Sequence, residues 1–407
     1  MKSSKLTAVI TVVILMLNVA PLWLKGDSKW LNRATERANY QLTRLAKATE
    51  KIYPDSAVFP RTILADNQTL YVGIYDWTSG FFPGSLWYGY ELTGDKALEK
   101  EARKFTMKLS PLQYYKGIHD VGFMIFCSYG NAIRLASAKG DTEVLVNTAK
   151  SLTSRFNPKV GLIKSWDHEP AWKFPVIIDN MMNLELLFEA SKMTGDNSYK
   201  NIAIIHADNT MKNHFRPDMS TYHLVSYDPE TGEVLTKETH QGYSNSSAWA
   251  RGQAWGLYGY TVCYRYTNDK KYLEWAEKIA NYIIANVKTE DKIPYWDYNA
   301  PKIPNEPRDA SAAAVTASAL LELSQKSASG AKYFSYAEKI LKSLSSDKYL
   351  AKKGENNGFI LMHSVGSFPH NSEVDVPLNY ADYYYMEGLK KYTDIIKLNK
   401  TKLSTNK

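Results

Sequence analysis

Two aspartates in this chain stand directly before apolar, helix-forming segments. Asp120 lies in GIHDVGF, beside His119, and Asp179 lies in FPVIIDNMMNLELL. An aspartate in this place is ordinarily a helix N-cap, and we expect Asp309 and Asp382 to be caps of that kind. Two carboxyl groups that share a partly apolar pocket do more, because burial and mutual repulsion raise one pKa and keep a proton available at neutral pH. We therefore take Asp120 and Asp179 as candidates for proton transfer.

A second group of candidate residues opens another apolar helix, in the sequence SSAWARGQAWGLYGY. Arg251 stands between Trp249 and Trp255, with Gln253 in the same run. An arginine that is buried among aromatic residues needs an anionic partner, and its planar head can grip a carboxylate with two donors. Tryptophan faces suit sugar rings, although each tryptophan taken singly is as much a core residue as a ligand contact. Together these residues indicate recognition of an acidic carbohydrate.

The elements that would position these side chains are helical hairpins, visible as a weak internal repeat. In segments such as ELTGDKALEKEARKF and RYTNDKKYLEWAEKIANYI, an aliphatic helix ends at Gly or Asn, and a short turn leads to an amphipathic helix. Hydrophobic helices are predicted to start near Ser79, Val121, Asn180, Ala248, Ala310 and Ala381, and amphipathic ones near Lys29, Lys96, Thr142, Ser198, Lys270 and Tyr333. About twelve helices of alternating burial predict an all-α double ring, an (α/α)6 barrel with six inner and six outer helices.

Long connections lead into the hydrophobic helices, whereas short turns lead into the amphipathic ones. The long connections cover about residues 53–78, 111–119, 156–178, 215–246, 289–309 and 346–379. In an alternating ring these loops gather at one end, where the inner helices begin, and long loops of compact domains are usually functional. Converging helix N-termini also favour an anionic ligand. Besides the two aspartates, the residues expected at this end include Trp77, His223, Gln241 and Tyr380.

The composition is that of a globular protein, since 44% of the 407 residues are hydrophobic and 13% are aromatic. The formal net charge of +8 is confined to the ends, because residues 1–25 carry +3 and residues 390–407 carry +5. A neutral body argues against a surface that follows nucleic-acid phosphates, so we expect no nucleic-acid partner. We expect residues 396–407 to form a basic, solvated and poorly ordered tail.

The N-terminal sequence MKSSKLTAVITVVILMLNVAPLWLKG has the layout of a secretory signal. A basic start precedes an apolar run from Leu6 to about Leu17, and small residues follow near Ala20. We therefore expect export, to the periplasm or the medium. Pro21 disfavours cleavage, and an uncleaved segment would act as a membrane anchor. The expected organisation is a signal or anchor over 1–25 and a single catalytic domain over 26–395.

Two cysteines, Cys127 and Cys263, lie inside apolar helical patterns. Buried reduced thiols are expected there, although an exported protein could also pair them. The sequence offers no tight spacing of His, Cys and Asp ligands, which gives no support for a structural metal.

Five motifs occur in order across about residues 30–395: DWTSGFFPG, HDVGF, IDNMMN, ARGQAWGLYG and NYADYYYMEG. As a set they resemble the unsaturated glucuronyl hydrolases of glycoside hydrolase family 88. The resemblance implies a six-hairpin double ring, in agreement with the helix pattern. It also implies an enzyme that hydrates the C4=C5 double bond of an unsaturated uronic acid at the non-reducing end of lyase products, with glycosaminoglycan-type disaccharides as the expected substrates. No metal and no organic cofactor are implied.

The resemblance assigns roles to the candidate residues. Asp179 would protonate C4 and act as the base for the attacking water, while Asp120 would orient the sugar hydroxyls and tune Asp179. The residues expected to bind substrate are Trp77, His119, His223, Gln241, Trp249, Arg251, Gln253, Trp255, Ser364, Ser367 and Tyr380. Relatives that favour sulfated fragments carry a lysine after two such serines, where this chain has Pro369, so sulfate preference stays open.

Three alternatives share this helical ring. An unsaturated rhamnogalacturonyl hydrolase would act on pectin fragments by the same chemistry, and HDVGF together with ARGQAWG favours the glucuronyl enzyme over it. A non-catalytic sugar-binding protein would be expected to lack one of the two aspartates. An epimerase would rely on paired histidines, for which His119 and His223 are the candidates.

Overall fold

The chain folds into two concentric rings of helices, as the repeat predicts. The computed structural model describes residues 29–53 and 56–405. In that part of the chain the outer helices are α1 (Lys29–Ile52), α3 (Lys96–Lys108), α6 (Asp141–Thr153), α8 (Asn197–Asn213), α10 (Lys270–Asn286) and α12 (Gly330–Leu344). The inner helices are α2 (Phe81–Thr93), α4 (Val121–Ile125) with α5 (Asn131–Ala136), α7 (Leu184–Thr194), α9 (Ala250–Thr267), α11 (Ala310–Ser324) and α13 (Asn379–Thr405). Each inner helix packs on the next and α13 closes the ring against α2, so the predicted (α/α)6 barrel is confirmed.

Inner and outer helices differ in how much of their surface is buried. In α2, every residue from Phe81 to Gly89 is buried. In α10 only one stripe is buried, formed by Tyr272, Ala276, Ile279, Ala280 and Ile283. This spacing of three or four residues marks a helix that covers a core with one face and meets water with the other. The sequence alternates between these two kinds of helix, and this alternation specifies the double ring.

The turns from inner to outer helices repeat one arrangement. After α2, Gly94 adopts a left-handed φ of 75°, which ends the helix at little conformational cost. The Asp95 side chain then accepts a hydrogen bond from the backbone N–H of Ala97 at 2.8 Å and caps α3. The same pairing of a left-handed residue with a capping aspartate precedes α8 and α10. These short turns all lie at the end of the ring where the inner helices finish.

The second and third inner helices are irregular in their first turns, and each has a candidate aspartate at its start. The second is interrupted by a π-helical turn, Phe126–Gly130, between α4 and α5. The third starts as a 3-10 turn, Ile178–Asn183, before α7. Wide or tight turns of this kind often occur at functional sites, because they re-aim side chains away from the regular helical positions.

The prediction of helix caps is confirmed in part. Asp309 caps α11 as predicted, because its carboxylate accepts a hydrogen bond from the backbone N–H of Ser311 at 2.9 Å. Asp120 stands at the N-cap position of α4, yet its side chain makes no capping bond. The prediction for Asp382 is wrong, since this residue lies inside the first turn of α13. There its carboxylate accepts the backbone N–H groups of residues 360 and 361, at 2.9 Å and 2.8 Å, and holds the preceding loop.

Short antiparallel strands stiffen the long loops. They are β1 (Val58–Ile63), β2 (Thr69–Gly73), β3 (Phe156–Asn157), β4 (Leu162–Ile163), β5 (Phe174–Ile177), β6 (Leu224–Tyr227), β7 (Val234–Glu238), β8 (Ser364–Ser367) and β9 (Ser372–Val376). The segment HLVSYDPETGEVLTKE forms the β6–β7 hairpin, and β5 adds a third strand to it. The all-α prediction does not include these strands, because segments of two to six residues are too short to show a clear alternation.

The two ends of the described chain lie far from these loops. Outer helix α1 runs towards the loop that precedes α2, so its start at Lys29 lies at the opposite end of the ring. Inner helix α13 runs the other way, and its 27 residues extend about 40 Å. Trp30 and Tyr392 meet there, with ring centroids 5.3 Å apart. The tail expected over residues 396–407 is helical as far as Thr405, because lysine and leucine continue a helix well.

The predicted signal or anchor over residues 1–25 lies outside the described residues. Among the helices that the structure describes, none is long and apolar enough to cross a membrane. Cys127 and Cys263 are both buried and not joined by a disulfide.

Candidate active site

A cavity of about 310 Å³ opens where the inner helices begin, as the loop lengths predict. It is lined by Trp77, Asp120, Trp166, His168, Ile177, Asp179, His240, Gln241, Arg251, Ser367, His370 and Ser372. This volume is at the lower end of the range for small-molecule sites, roughly 300–1,000 Å³. The cavity therefore fits a ligand of one or two sugar rings.

A second cavity, of about 490 Å³, lies at the opposite end of the ring. Its buried acids are already paired: the carboxylate of Glu387 accepts hydrogen bonds from Tyr88 at 3.0 Å and Tyr258 at 2.8 Å. Glu322 likewise makes two 2.5 Å contacts with Arg265. These contacts join inner helices to one another, and the groups that make them are already engaged within the protein.

Asp120 keeps a proton at neutral pH. Burial, and next the negative charge of Asp179, raises its pKa from 3.8 to about 8. Oδ1 of Asp120 lies 3.2 Å from Nε2 of His119, whose ring is fully buried. Burial lowers the pKa of His119 to about 4, so this contact joins two neutral groups at neutral pH. The raised pKa expected within the aspartate pair therefore falls on Asp120.

Asp179 lies in the 3-10 turn before α7 and is 8% exposed. The turn is fixed to the neighbouring strand, because the backbone N–H of Ile178 donates to the carbonyl of His223 at 2.9 Å. Oδ2 of Asp179 accepts no hydrogen bond from the described residues, and Nε2 of His223 lies 3.5 Å from it. A carboxylate oxygen that is buried without a partner beside a cavity is ready to accept a proton or a ligand hydroxyl.

The tautomer of His223 follows from its hydrogen bonds. Nδ1 accepts the backbone N–H groups of His240, at 3.0 Å, and of Gln241, at 3.1 Å. A nitrogen that accepts two hydrogen bonds carries no hydrogen, so in the neutral ring the proton is on Nε2. His223 thus presents an N–H group towards the Asp179 carboxyl, from a position that is 2% exposed.

Arg251 does not offer the two-donor grip that the sequence led us to expect. Its guanidinium donates to the carbonyl oxygens of Val365 and Gly366, the latter at 2.6 Å. It also contacts the Asp309 carboxylate at 3.2 Å. Its Nε has no partner among the described residues. The two guanidinium nitrogens that would bind a substrate carboxylate are therefore occupied. Arg251 holds strand β8 beside the cavity, and only one edge of its side chain lines it.

Three other predicted residues also line the cavity. Gln241 donates its side-chain N–H to the carbonyl of Gly366 at 3.1 Å, which leaves its carbonyl oxygen for a ligand. Ser367 lies at the end of β8 and hydrogen-bonds Nδ1 of His370 at 2.6 Å. Trp77 packs on Tyr380, with ring centroids 4.9 Å apart. Tyr380 itself is fully buried, and its hydroxyl has no partner in the described part of the chain.

Seven predicted residues do not line the cavity: His119, His223 and Tyr380, described above, and four more that lie behind it and support it. Trp255 is fully buried against Phe123, at a centroid distance of 5.3 Å. Trp249 supports the His223 ring at 4.7 Å. The amide of Gln253 is used by the fourth loop, where it accepts from the N–H of residue 221 at 3.0 Å and donates to the carbonyl of residue 219 at 2.8 Å. Ser364 is also fully buried. The resemblance placed these four among the substrate-binding residues, and sequence alone does not say whether a side chain on a helix or in a loop points into a cavity.

Sequence reasoning missed most of the outer part of the cavity. The four residues that we call the outer wall are Trp166, His168, His240 and His370. The ring centroid of His240 lies 4.6 Å from that of His370 and 5.6 Å from that of Trp166, and His168 lies 5.9 Å from Trp166. They come from three different loops, which have no periodicity to mark an inward face. The cluster of Trp and His in KSWDHEPAW was the one available indication.

The described residues contain no group of three or more His, Cys, Asp or Glu side chains arranged to hold a metal ion. The side chains present include a carboxyl pair, imidazoles and indoles. They can bind a sugar and transfer protons between carbon and oxygen.

Comparison with known proteins gives a consistent result. The model of Glycosyl Hydrolase Family 88 matches residues 62–395. Over 392 residues the chain is 43% identical to an unsaturated glucuronyl hydrolase of Formosa agariphila, covering 95% of this chain and 98% of that protein. The crystal structure of an unsaturated glucuronyl hydrolase specific for heparin is 54% identical with a TM-score of 0.88, covering 91% of this chain and 99% of the other. A mutant unsaturated glucuronyl hydrolase of Streptococcus agalactiae, complexed with dGlcA-GalNAc6S, is 28% identical with a TM-score of 0.77, covering 95% and 99%.

Proposed function

The chain belongs to glycosyl hydrolase family 88, the family that its motifs predict, and we propose that it hydrates the C4=C5 bond of unsaturated uronic acids. The substrate residue would stand at the non-reducing end of an oligosaccharide released by a polysaccharide lyase. The observation that carries this proposal is the carboxyl pair of Asp120 and Asp179 in a cavity of sugar size, with a proton retained on Asp120 at neutral pH. An enol ether needs such a proton donor before water can add to it.

The reaction consumes one water molecule, and the proton that is added to C4 is replaced by the proton that this water releases. Protonation of C4 leaves a cation shared between C5 and the ring oxygen, and water then adds to C5 and releases a proton to a base. The resulting hemiketal opens by cleavage of the bond between C5 and the ring oxygen, which gives a ketone at C5. The hemiacetal left at C1 then expels the second sugar as an alcohol and becomes an aldehyde. The anomeric carbon is never attacked, so the geometries of ordinary glycosidases do not apply.

Asp179 is assigned to the transfer of the proton to C4 and to the activation of water. Its Oδ2 is the carboxylate oxygen without a partner, and His223 presents an N–H group beside it. Asp120 lines the same cavity and retains a proton at neutral pH, so it can supply that proton to Asp179. Asp120 is assigned to storing this proton and to binding the sugar hydroxyls.

We propose that the substrates belong to the glycosaminoglycan class. A relative with 54% identity is described as specific for heparin, and another relative is complexed with dGlcA-GalNAc6S. We therefore place unsaturated heparin disaccharides first and chondroitin disaccharides second. None of the relatives named above is described as acting on pectin fragments, which were the first alternative.

The assay is the loss of the ultraviolet absorbance of the enol ether, measured on the lyase products of heparin, chondroitin and rhamnogalacturonan. Activity on the glycosaminoglycan products is expected, and activity on the rhamnogalacturonan product alone would refute the proposal. Asp179→Asn is expected to abolish turnover and to retain binding, as followed by calorimetry. Turnover by this variant would show that Asp179 is not the acid.

We also propose that the protein is exported. The support is the sequence of residues 1–25, with its basic start and apolar run. Fractionation of cells that express the full chain would test this. Export places activity in the periplasm, the medium or the membrane fraction, and activity confined to the cytoplasm would contradict it.

A further inference from the structure

We propose that His240 is a positioning residue, which couples the second sugar of the substrate to the Asp179 carboxyl group through the imidazole of His223. The inference rests on the proposed function, because it requires a substrate whose second sugar enters the outer wall. Its basis is one unbroken set of contacts from the mouth of the cavity to the carboxyl pair.

The inner part of this set fixes His223. Its Nδ1 accepts the backbone N–H groups of His240 and Gln241, at 3.0 Å and 3.1 Å, and its Nε2 lies 3.5 Å from Oδ2 of Asp179. Two backbone groups of a loop therefore decide which nitrogen of His223 carries the proton. If those groups moved, His223 would lose both its orientation and its tautomer, and the Asp179 oxygen would lose the N–H group beside it.

The outer part of the set is the His240 ring. It packs on His370 at 4.6 Å, on Trp166 at 5.6 Å and on Trp172 at 5.7 Å, and it lies 6.3 Å from the His223 ring. Burial, and then the neighbouring His223 and His370, lowers the pKa of His240 to about 4. Because this ring is neutral, it acts on its neighbours by packing and not by charge. It therefore joins the outer wall to the backbone that holds His223.

The neighbours of His240 in this loop are held by hydrogen bonds of their own, including that of the Gly242 N–H to Oγ1 of Thr239 at 2.8 Å, whereas the His240 ring is held by packing. Gln241 is tied to the carbonyl of Gly366, and the N–H of residue 239 donates to the side chain of Asn245 at 2.9 Å. Between these two anchors, the hydrogen bond of the His240 N–H to His223 is supported by the packing of the His240 ring. A second sugar bound against the outer wall would pack on the His240 ring and hold it in place. The binding energy of the second sugar would then be used to align Asp179 with the reacting carbons. Binding energy used in this way raises kcat, whereas tighter binding alone would only lower KM.

His168 provides a matched control within the same wall. It is also a histidine that lines the cavity, and it packs on Trp166 at 5.9 Å. In the described structure it makes no hydrogen bond to His223 or to the loop that holds it. Loss of the His168 ring should therefore weaken binding of the second sugar without disturbing Asp179.

The experiment compares two substrates in each variant: an unsaturated glycosaminoglycan disaccharide, and the methyl glycoside of the same unsaturated uronic acid, which has no second sugar. The measured quantity is the ratio of the two kcat values. This ratio is independent of the fraction of enzyme that is active, so a poorly folding variant still gives an answer. In the wild-type protein we expect the disaccharide to react about 10-fold faster or more.

In His240→Ala the ratio should fall to about 1, and in His240→Phe, which keeps a ring of similar shape, it should return towards the wild-type value. His168→Ala should keep the wild-type ratio and raise KM for the disaccharide. A wild-type ratio near 1, or an unchanged ratio in His240→Ala, would overturn the inference. Absence of turnover with both substrates in the wild-type protein would instead overturn the proposed function.

Discussion

Asp120→Asn is expected to stabilise the folded protein at neutral pH while it impairs catalysis. Burial and the charge of Asp179 raise the pKa of Asp120 from 3.8 to about 8. Between these values the folded state binds a proton that the unfolded chain releases, so the free energy of unfolding decreases as pH rises through this window. Each pKa unit corresponds to about 1.4 kcal/mol, which sets an upper limit of about 4 kcal/mol at pH 7. Asparagine has the shape of the neutral acid and is free of this cost.

The expected gain is smaller than that limit. The Asp120 side chain is 17% exposed, so water offsets part of the cost, and we expect about 2 kcal/mol at pH 7. Denaturant unfolding of both proteins at about pH 5 and about pH 7 measures it, and the advantage of the variant should increase with pH. Asp66→Asn, in an exposed turn, is the control and should show no such trend. An advantage that does not change with pH, or a variant less stable than wild type at pH 7, would refute the reasoning.

Three further predictions concern catalysis and packing. First, kcat/KM should fall as pH rises through about 8, because the carboxyl pair then loses the proton that Asp120 retains, and a profile that stays flat above pH 8 would contradict this. Second, Arg251→Lys should lower kcat/KM by about 10-fold or more, since a single amine cannot hold both carbonyls of β8 and the Asp309 carboxylate; kinetics at wild-type level would show that the fork is dispensable. Third, Gly122→Ala should lower the free energy of unfolding by about 2 kcal/mol or more, because the added Cβ would lie 2.4 Å from the Asn183 side chain; thermal unfolding measures this, and an unchanged midpoint would refute it.

Much of the ring could be predicted because helical periodicity is local information. The predicted starts at Lys96, Lys270 and Ala310 coincide with the observed ones, and the turns between hairpins show their Gly, Asn and Asp residues directly in the sequence. The placement of the site at the end with long loops follows from the alternation alone. Most of the short strands and the π-helical turn could not be predicted, because they depend on contacts between loops and helices that are distant in the sequence.

The candidate site was predicted where residues belong to helix starts and missed where they belong to loops. Asp120 and Asp179 were found because each precedes a strongly periodic helix. His240 and His370 were not, because the direction of a loop side chain is set by packing between loops. Arg251 was placed correctly and given the wrong partner, since the carbonyl groups of β8 that occupy it are more than 100 residues away in the sequence.

The ring has its first and last described residues at the same end, opposite the cavity. Lys29 starts α1 there, and Thr405 ends α13 there, at the close of a helix that begins beside the cavity. A resin, a cell surface or a fused lyase domain joined directly at Lys29 or after Thr405 would therefore leave the mouth of the cavity open to the solution. In a fusion, the product of the lyase would reach this enzyme by diffusion around the barrel, so we expect the linker length to affect coupling between the two enzymes more than it affects turnover of free disaccharide.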